Sequence, residues 1–266
     1  MRIAVIELWT YPVKALRGVS LTSVQVTPCG FQTDRRWMVV DANGKHLTQR
    51  EINAMARITA VVQGPNLLLA ADDAPDLLVP ASQPFSEVAV TVWGSEVRAA
   101  DCGDVPASWL QDRLGAPCRL VYMTDPRSRP VNPAYGRPGE YVSFADGLPV
   151  LLTTMASLAD LNTRMANGIG MERFRPNLVV DGELPWAEDD WQEVRVGAVS
   201  FRVAGSCPRC IVSTNDQVTG VRPPGNEPLR ALGGFRRDKT GVVFGRYLVP
   251  LEDGSIRVGD TLSVTR

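Results

Sequence analysis

Reactive side chains stand closest together in Gly205-Ser206-Cys207-Pro208-Arg209-Cys210, between a strand-like run ending near Val203 and a polar turn at Thr214-Asn215-Asp216. Three chemistries use a Cys-x-x-Cys pair. It can be half of a zinc site, but Cys29, Cys102 and Cys118 form no second pair and the single histidine, His46, is remote in sequence. Four zinc ligands are therefore hard to assemble. It can be a redox dithiol, which normally opens a helix whose N-terminus lowers the thiol pKa, whereas the flanks here are strand-like. It can also offer one thiolate to a soft, redox-active metal, with Arg209 favouring the deprotonated sulfur. A buried structural cysteine pair is the plain alternative, and the motif alone does not choose.

Three further segments carry groups suited to anions: Tyr11-Pro12-Val13-Lys14, Asp34-Arg35-Arg36-Trp37 and Arg173-Phe174-Arg175-Pro176-Asn177. Each adjoins a strand-like run. Any one of them reads equally as a surface ion pair. Arg is the dominant cation, since Lys14, Lys45 and Lys239 are the only lysines. Such an excess suits bidentate anion recognition, although coding-base composition produces the same bias.

The elements that must position these groups are short and mostly extended. Strand patterns cover Ile3 to Leu8, Val19 to Thr27, Arg36 to Asp41, Ile58 to Gln63, Leu67 to Ala70 and Val88 to Val92, punctuated by Gly, Pro, Asn and Asp. Asp41-Ala42-Asn43-Gly44 has the composition of a hairpin turn in which Asn and Gly take positive φ. Val105 to Leu114 has helical spacing, and Ser157 to Met165 reads as a helix capped by Ser157 with Leu158, Leu161 and Met165 on one face. Between them Asp125 to Gly147 is rich in Pro, Gly and Arg without periodicity, so a soft domain boundary falls there and the segment is expected to cross a surface near a site. Strand patterns return at Pro149 to Thr153, Asn177 to Asp181, Glu193 to Val196, Ser200 to Val203, Val242 to Tyr247 and Ser255 to Thr265. Many short strands with few helices imply a mainly β, barrel-like architecture.

Composition narrows the function classes. With 266 residues, 44% of them hydrophobic, the chain can bury a substantial core. A formal net charge of -1 provides no basic field for nucleic acid or an anionic membrane surface. No apolar run approaches a membrane-spanning length, and Glu7 interrupts the first one, so a cytoplasmic location is expected. Five cysteines, an odd and sparse set, are expected to be reduced. One histidine nearly excludes His-based triads and His-rich metal centres.

Taken in order, YPVK (11–14), DRRWMVVD (34–41), TQRE (48–51), VSFADGLPVLL (142–152), ASLADLN (156–162), RFRPNLVV (173–180), AEDDW (187–191), Arg209-Cys210, Thr219-Gly220, Phe244-Gly245 and VGD (258–260) form a pattern that resembles the MOSC family. Within that family it is similar to the YcbX-type proteins and the mitochondrial amidoxime-reducing components. The resemblance implies an N-terminal β-barrel region at 1–124 and a MOSC domain at 125–266, with parts that interleave and a cofactor in the cleft between them. It implies a molybdenum pyranopterin cofactor ligated by Cys210. Lys14 and Arg35 would hold the phosphate, with Arg36 as the fallback, and Arg175 and Asn177 the pterin. Asp146, Thr154, Ser157 and Arg209 would line the cavity, Asp146 with a catalytic role. Ala15 stands where relatives commonly have serine, and Cys207 has no firm family role. The implied activity is reduction of N-hydroxylated small molecules, with electrons from a separate ferredoxin or flavoprotein reductase, since no Cys-x4-Cys-x2-Cys cluster motif is present. A cofactor or sulfur carrier without turnover, and a biosynthetic enzyme of the same fold, are the rival implications.

Overall fold

The computed structural model describes residues 3–80, 86–182 and 184–265. Seven strands close into a barrel: Val150–Thr154, Leu178–Val180, Ile3–Thr10, Thr261–Thr265, Glu193–Val196, Val199–Pro208 and Gly241–Pro250, the last pairing back onto the first. Closure leaves none of these strands at an edge. Neighbours run antiparallel except Val150–Thr154 and Leu178–Val180, which are parallel. A parallel pair needs a crossover. Here the helix Met155–Asn162 begins it, and Leu158 and Leu161 pack against Phe174, Val179 and Phe244 outside the barrel. Val150–Thr154 is buried along its whole length because the helix side and the barrel interior both cover it. Glu193–Val196, solvated on one face, alternates exposed and buried residues instead.

The opening strand therefore belongs to a barrel otherwise built from residues beyond 149. The chain then leaves the barrel to build a second core. There a four-stranded sheet orders Trp37–Val40, Arg119–Tyr122, Ser95–Asp101 and Glu87–Val92, and a meander joins Thr59–Gln63, Asn66–Ala71 and Ala74–Val79. Helix Asp104–Leu114 lays Leu110 and Leu114 against Val39, Leu67 and Leu120. The mainly β architecture expected from the sequence is what the chain adopts.

Two local expectations need correction. The second helix starts at Met155, and its N-cap is Thr154, whose hydroxyl accepts the Ser157 amide at 3.1 Å. Ser157 lies in the first turn. In the turn at Asp41 only Gly44 takes positive φ, at +73°, because the Asp41 carboxylate accepts the Asn43 and Lys45 amides and stabilises an ordinary turn before it.

A cation-lined cleft at the junction of the two cores

The strand Val199–Pro208 is bulged twice against Gly241–Pro250, between Val203 and Gly205 and between Ser206 and Pro208. Bulges bend a strand and re-aim the residues that follow it. Beyond them Cys210 sits at the start of the turn Ile211–Thr214, half-buried, on the wall of a cleft. On the partner strand Gly245 has φ +78°, and a Cβ there would stand 2.7 Å from the Leu152 carbonyl oxygen. Only glycine suits that approach.

Both cores line the cleft. Lys14, Arg35 and Arg50 come from the first part of the chain; Asp146, Arg175, Asn177, Arg209, Cys207 and Cys210 come from the second. Lys14 is buried, and its ammonium donates to the Phe144 carbonyl at 2.8 Å and to Asp146 Oδ1 at 2.5 Å. Burial pulls the Lys14 pKa down, and Asp146 opposes that pull. Asp146 is exposed on the cleft side. Burial would raise its carboxyl, yet Lys14 overrides this and holds it well below the usual carboxylate range. The loop carrying it is fixed by buried Arg129, which donates to the carbonyls of Ser143, Ala145 and Asp146 at 2.8, 2.6 and 3.1 Å.

Arg35 and Arg175 both take left-handed backbone conformations, φ +49° and +53°, and both guanidinium groups stack on the Tyr11 ring, at 4.2 and 4.3 Å from its centroid. Arg35 has a counter-ion, Asp34, at 2.5 Å, and also donates to Asn177 Oδ1 at 3.1 Å. Arg175 has none among the described residues. It donates to the Leu16 carbonyl at 2.7 Å and to Gln217 Oε1 at 3.2 Å, and burial, with Arg35 nearby, pulls its pKa down to about 10. Arg209 is likewise held by carbonyls alone, those of Phe244 and Phe174 at 2.8 to 3.0 Å. Half-buried guanidinium groups bonded only to neutral acceptors keep their charge free to pair with an anion in the cleft.

Three residues expected at the site lie elsewhere. Arg36 points away from the cleft, bonding the carbonyls of Met123 and Thr124 at 2.5 and 3.3 Å, because side chains alternate as the strand Trp37–Val40 begins. Thr154 and Ser157 are buried at the start of the second helix and turn to Glu188, with Ser157 Oγ donating to Glu188 Oε1 at 2.7 Å. Cys207, fully buried, lines the cleft, and burial pushes its thiol up. Arg50, inside the quoted TQRE segment, had no role from the sequence, yet its Nη2 donates to Cys210 Sγ at 3.1 Å. Gln49 and Gln217, also unforeseen, exchange side-chain amide hydrogen bonds at 3.1 and 2.8 Å and brace Arg175. No local signal marks them, since their partners lie some 170 positions apart. Among the described residues no three His, Cys, Asp or Glu side chains gather to hold a metal, and no helix is long and apolar enough to cross a membrane.

Residues 2–117 match the MOSC N-terminal beta barrel domain, and residues 139–263 match the MOSC domain. The chain is 34% identical over 275 residues to mitochondrial amidoxime-reducing component 1 of Homo sapiens, covering 96% of this chain and 81% of that protein. It is also 34% identical over 275 residues to component 2 of the same organism, covering 96% and 82%. Among solved structures, the YUAD protein of Bacillus subtilis aligns over 99% of this chain and 96% of its own at a TM-score of 0.46 and 11% identity.

Proposed function

This chain belongs to the MOSC family, and from that membership we propose that it is a molybdenum-cofactor-dependent reductase of N-hydroxylated compounds. The observation that carries the proposal is the half-buried, carboxylate-free Arg175 on the same cleft as Arg35, Lys14 and one half-exposed thiol. That donor set fits a group with an anionic phosphate at one end and a soft metal at the other. Lys14 and Arg35 would hold the phosphate and Arg175 and Asn177 the pterin, with Arg209 lining the cavity and Cys210 as the protein's ligand to molybdenum. Ala15, which lines the cleft, offers no hydroxyl, so the phosphate would depend on the cations.

When bound, the cofactor would supply the two electrons that cleave an N–O bond: substrate N–OH, two electrons and two protons yield N–H and water. The chain supplies the surroundings. Asp146, held ionised by Lys14, accepts hydrogen bonds and does not act as the acid at neutral pH. It would orient a substrate O–H or N–H while protons arrive from solvent through the open side of the cleft. Electrons are proposed to come from a separate ferredoxin or flavoprotein reductase. A cytoplasmic site of action is proposed on sequence grounds alone; the relatives named above are mitochondrial.

The test is protein made in a cofactor-synthesising host, assayed for metal and turnover. One molybdenum per chain is expected, together with reduction of an amidoxime by a strong chemical donor. NADH alone should be inactive until a reductase partner is added. Cys210→Ser should lose metal or all turnover, whereas Cys207→Ser keeps both. Metal-replete protein that reduces no N-hydroxylated compound would falsify the reductase reading and favour a carrier.

A further inference from the structure

The strands Glu87–Val92 and Ser95–Asp101 are joined by a two-residue turn, Trp93-Gly94, with Val92 paired to Ser95. Both turn residues have positive φ, +50° and +81°. Two-residue hairpins of this kind favour Asn-Gly, since a side chain branching into a large ring is poorly suited to the left-handed region. Trp93 occupies the unfavourable position and is still 46% exposed as a residue. Burial in a core therefore does not explain the residue.

Its ring is nevertheless held in one orientation. The indole N–H donates to Asp146 Oδ1 at 3.0 Å, the His46 ring packs at 4.9 Å, and the Lys14 ammonium lies 5.8 Å from the ring centroid. His46 is itself anchored, Nδ1 lying 3.2 Å from the Thr91 carbonyl. Against this ring, 4.7 Å from its centroid, stands the Arg50 guanidinium, the same group whose Nη2 reaches Cys210 Sγ. A flat carbon–nitrogen group thus already spans the distance from the indole to the thiol.

We infer that Trp93 is the stacking platform that selects flat N-hydroxylated carbon–nitrogen groups, the Arg50 guanidinium occupying their place in the free protein. This inference rests on the reductase reading above. An amidoxime head is planar and carries two nitrogens on one carbon, as a guanidinium carries three, so it can replace Arg50 against the indole while its N–OH faces the Cys210 end of the cleft. A hydroxylamine on a saturated carbon has no flat face to offer. Asp146, bonded to the indole N–H, then stands at the edge of the stacked group, where it can accept from an amidoxime N–H.

The experiment compares two ligands that differ only in the head group, cyclohexanecarboxamidoxime and N-cyclohexylhydroxylamine. They are titrated calorimetrically into cofactor-loaded protein with no electron donor, so that nothing turns over. Trp93→Asn, which suits the turn and removes the ring, is expected to weaken the amidoxime by roughly tenfold and to leave the hydroxylamine nearly unchanged. Trp93→Phe should retain most of the amidoxime affinity, and Arg50→Ala should bind it at least as tightly as wild type. Equal amidoxime affinity in wild type and Trp93→Asn overturns the inference, as do equal losses for both ligands, weaker binding in Arg50→Ala, or no binding by wild type. Ring-dependent binding without reduction once a donor is added would leave the platform standing and remove the reductase reading. Reduction by wild type with ring-independent binding would do the reverse.

Discussion

Four of the five thiols share one fate and the fifth another, decided by what surrounds them. Burial pushes Cys102 up to about 12 and Cys118 up to about 11, and it raises Cys29 and Cys207 as well. Cys210 alone is half-exposed, with Arg50 donating to its sulfur. Alkylation proceeds through the thiolate. In cofactor-free native protein at pH 7.5, N-ethylmaleimide should therefore modify Cys210 first, at least tenfold faster than any other cysteine, and cofactor loading should protect it. Peptide mapping that finds Cys207 first would undo the ligand assignment. Part of the cleft was legible in advance: the segments that hold Lys14, Arg35, Arg175 and Asn177 are rich in groups that suit an anion, while the choice of Cys210 over Cys207 came from the family resemblance. Arg50, Gln49, Gln217 and Trp93 were not, because what recommends them is a partner far away in sequence. Thr154 and Ser157 misled for the same reason, since nothing near them announces Glu188.

Among elements, the strands with alternating or continuous apolar residues were visible, whereas Ala74–Val79, Ser95–Asp101 and Arg119–Tyr122 were not. The first contains Pro75 and Asp76 and the second Ala99, Ala100 and Asp101, residues of low strand preference that sheet partners override. Bulges were also invisible, although they place the cysteine turn. Gly245 is where this geometry can be tested. Gly245→Ala would force an L residue to φ +78° and press its Cβ on the Leu152 carbonyl oxygen. The strain and the clash together should cost roughly 2 to 4 kcal/mol, lowering the melting temperature by on the order of 10 °C. Gly64→Ala is the control, at φ +59° with nothing within 4 Å of the added Cβ, and should cost only about 1 kcal/mol. Equal melting temperatures for the two variants would show that the barrel yields at Gly245.

At the scale of the whole molecule, stability should respond to one carboxyl far from the cleft. Glu188 is fully buried, and burial raises its pKa from 4.5 against the hydrogen bonds from Ser157 and Thr154. A group whose native value lies above its unfolded one holds its proton more tightly when folded. Its contribution is full below pH 4.5 and declines as pH rises through the native value. The melting temperature of wild type should thus fall more between pH 4 and pH 8 than that of Glu188→Gln, which cannot titrate; parallel profiles would assign the decline to other groups. The barrel's opening strand carries a different consequence, one that concerns the order of manufacture. Ile3–Thr10 finds its barrel neighbours in Leu178–Val180 and Thr261–Thr265, the second of them about 250 residues downstream. At ribosomal speeds that interval lasts on the order of ten seconds to a minute. Until Leu178–Val180 has been made, the first strand has only Val19–Leu21 to pair with and keeps one ladder of backbone donors and acceptors bare; its Thr261–Thr265 partner comes later still. The nascent chain is thus exposed to mispairing at this strand, and yield in a host should depend on how well that segment is sheltered until Thr261–Thr265 has been made.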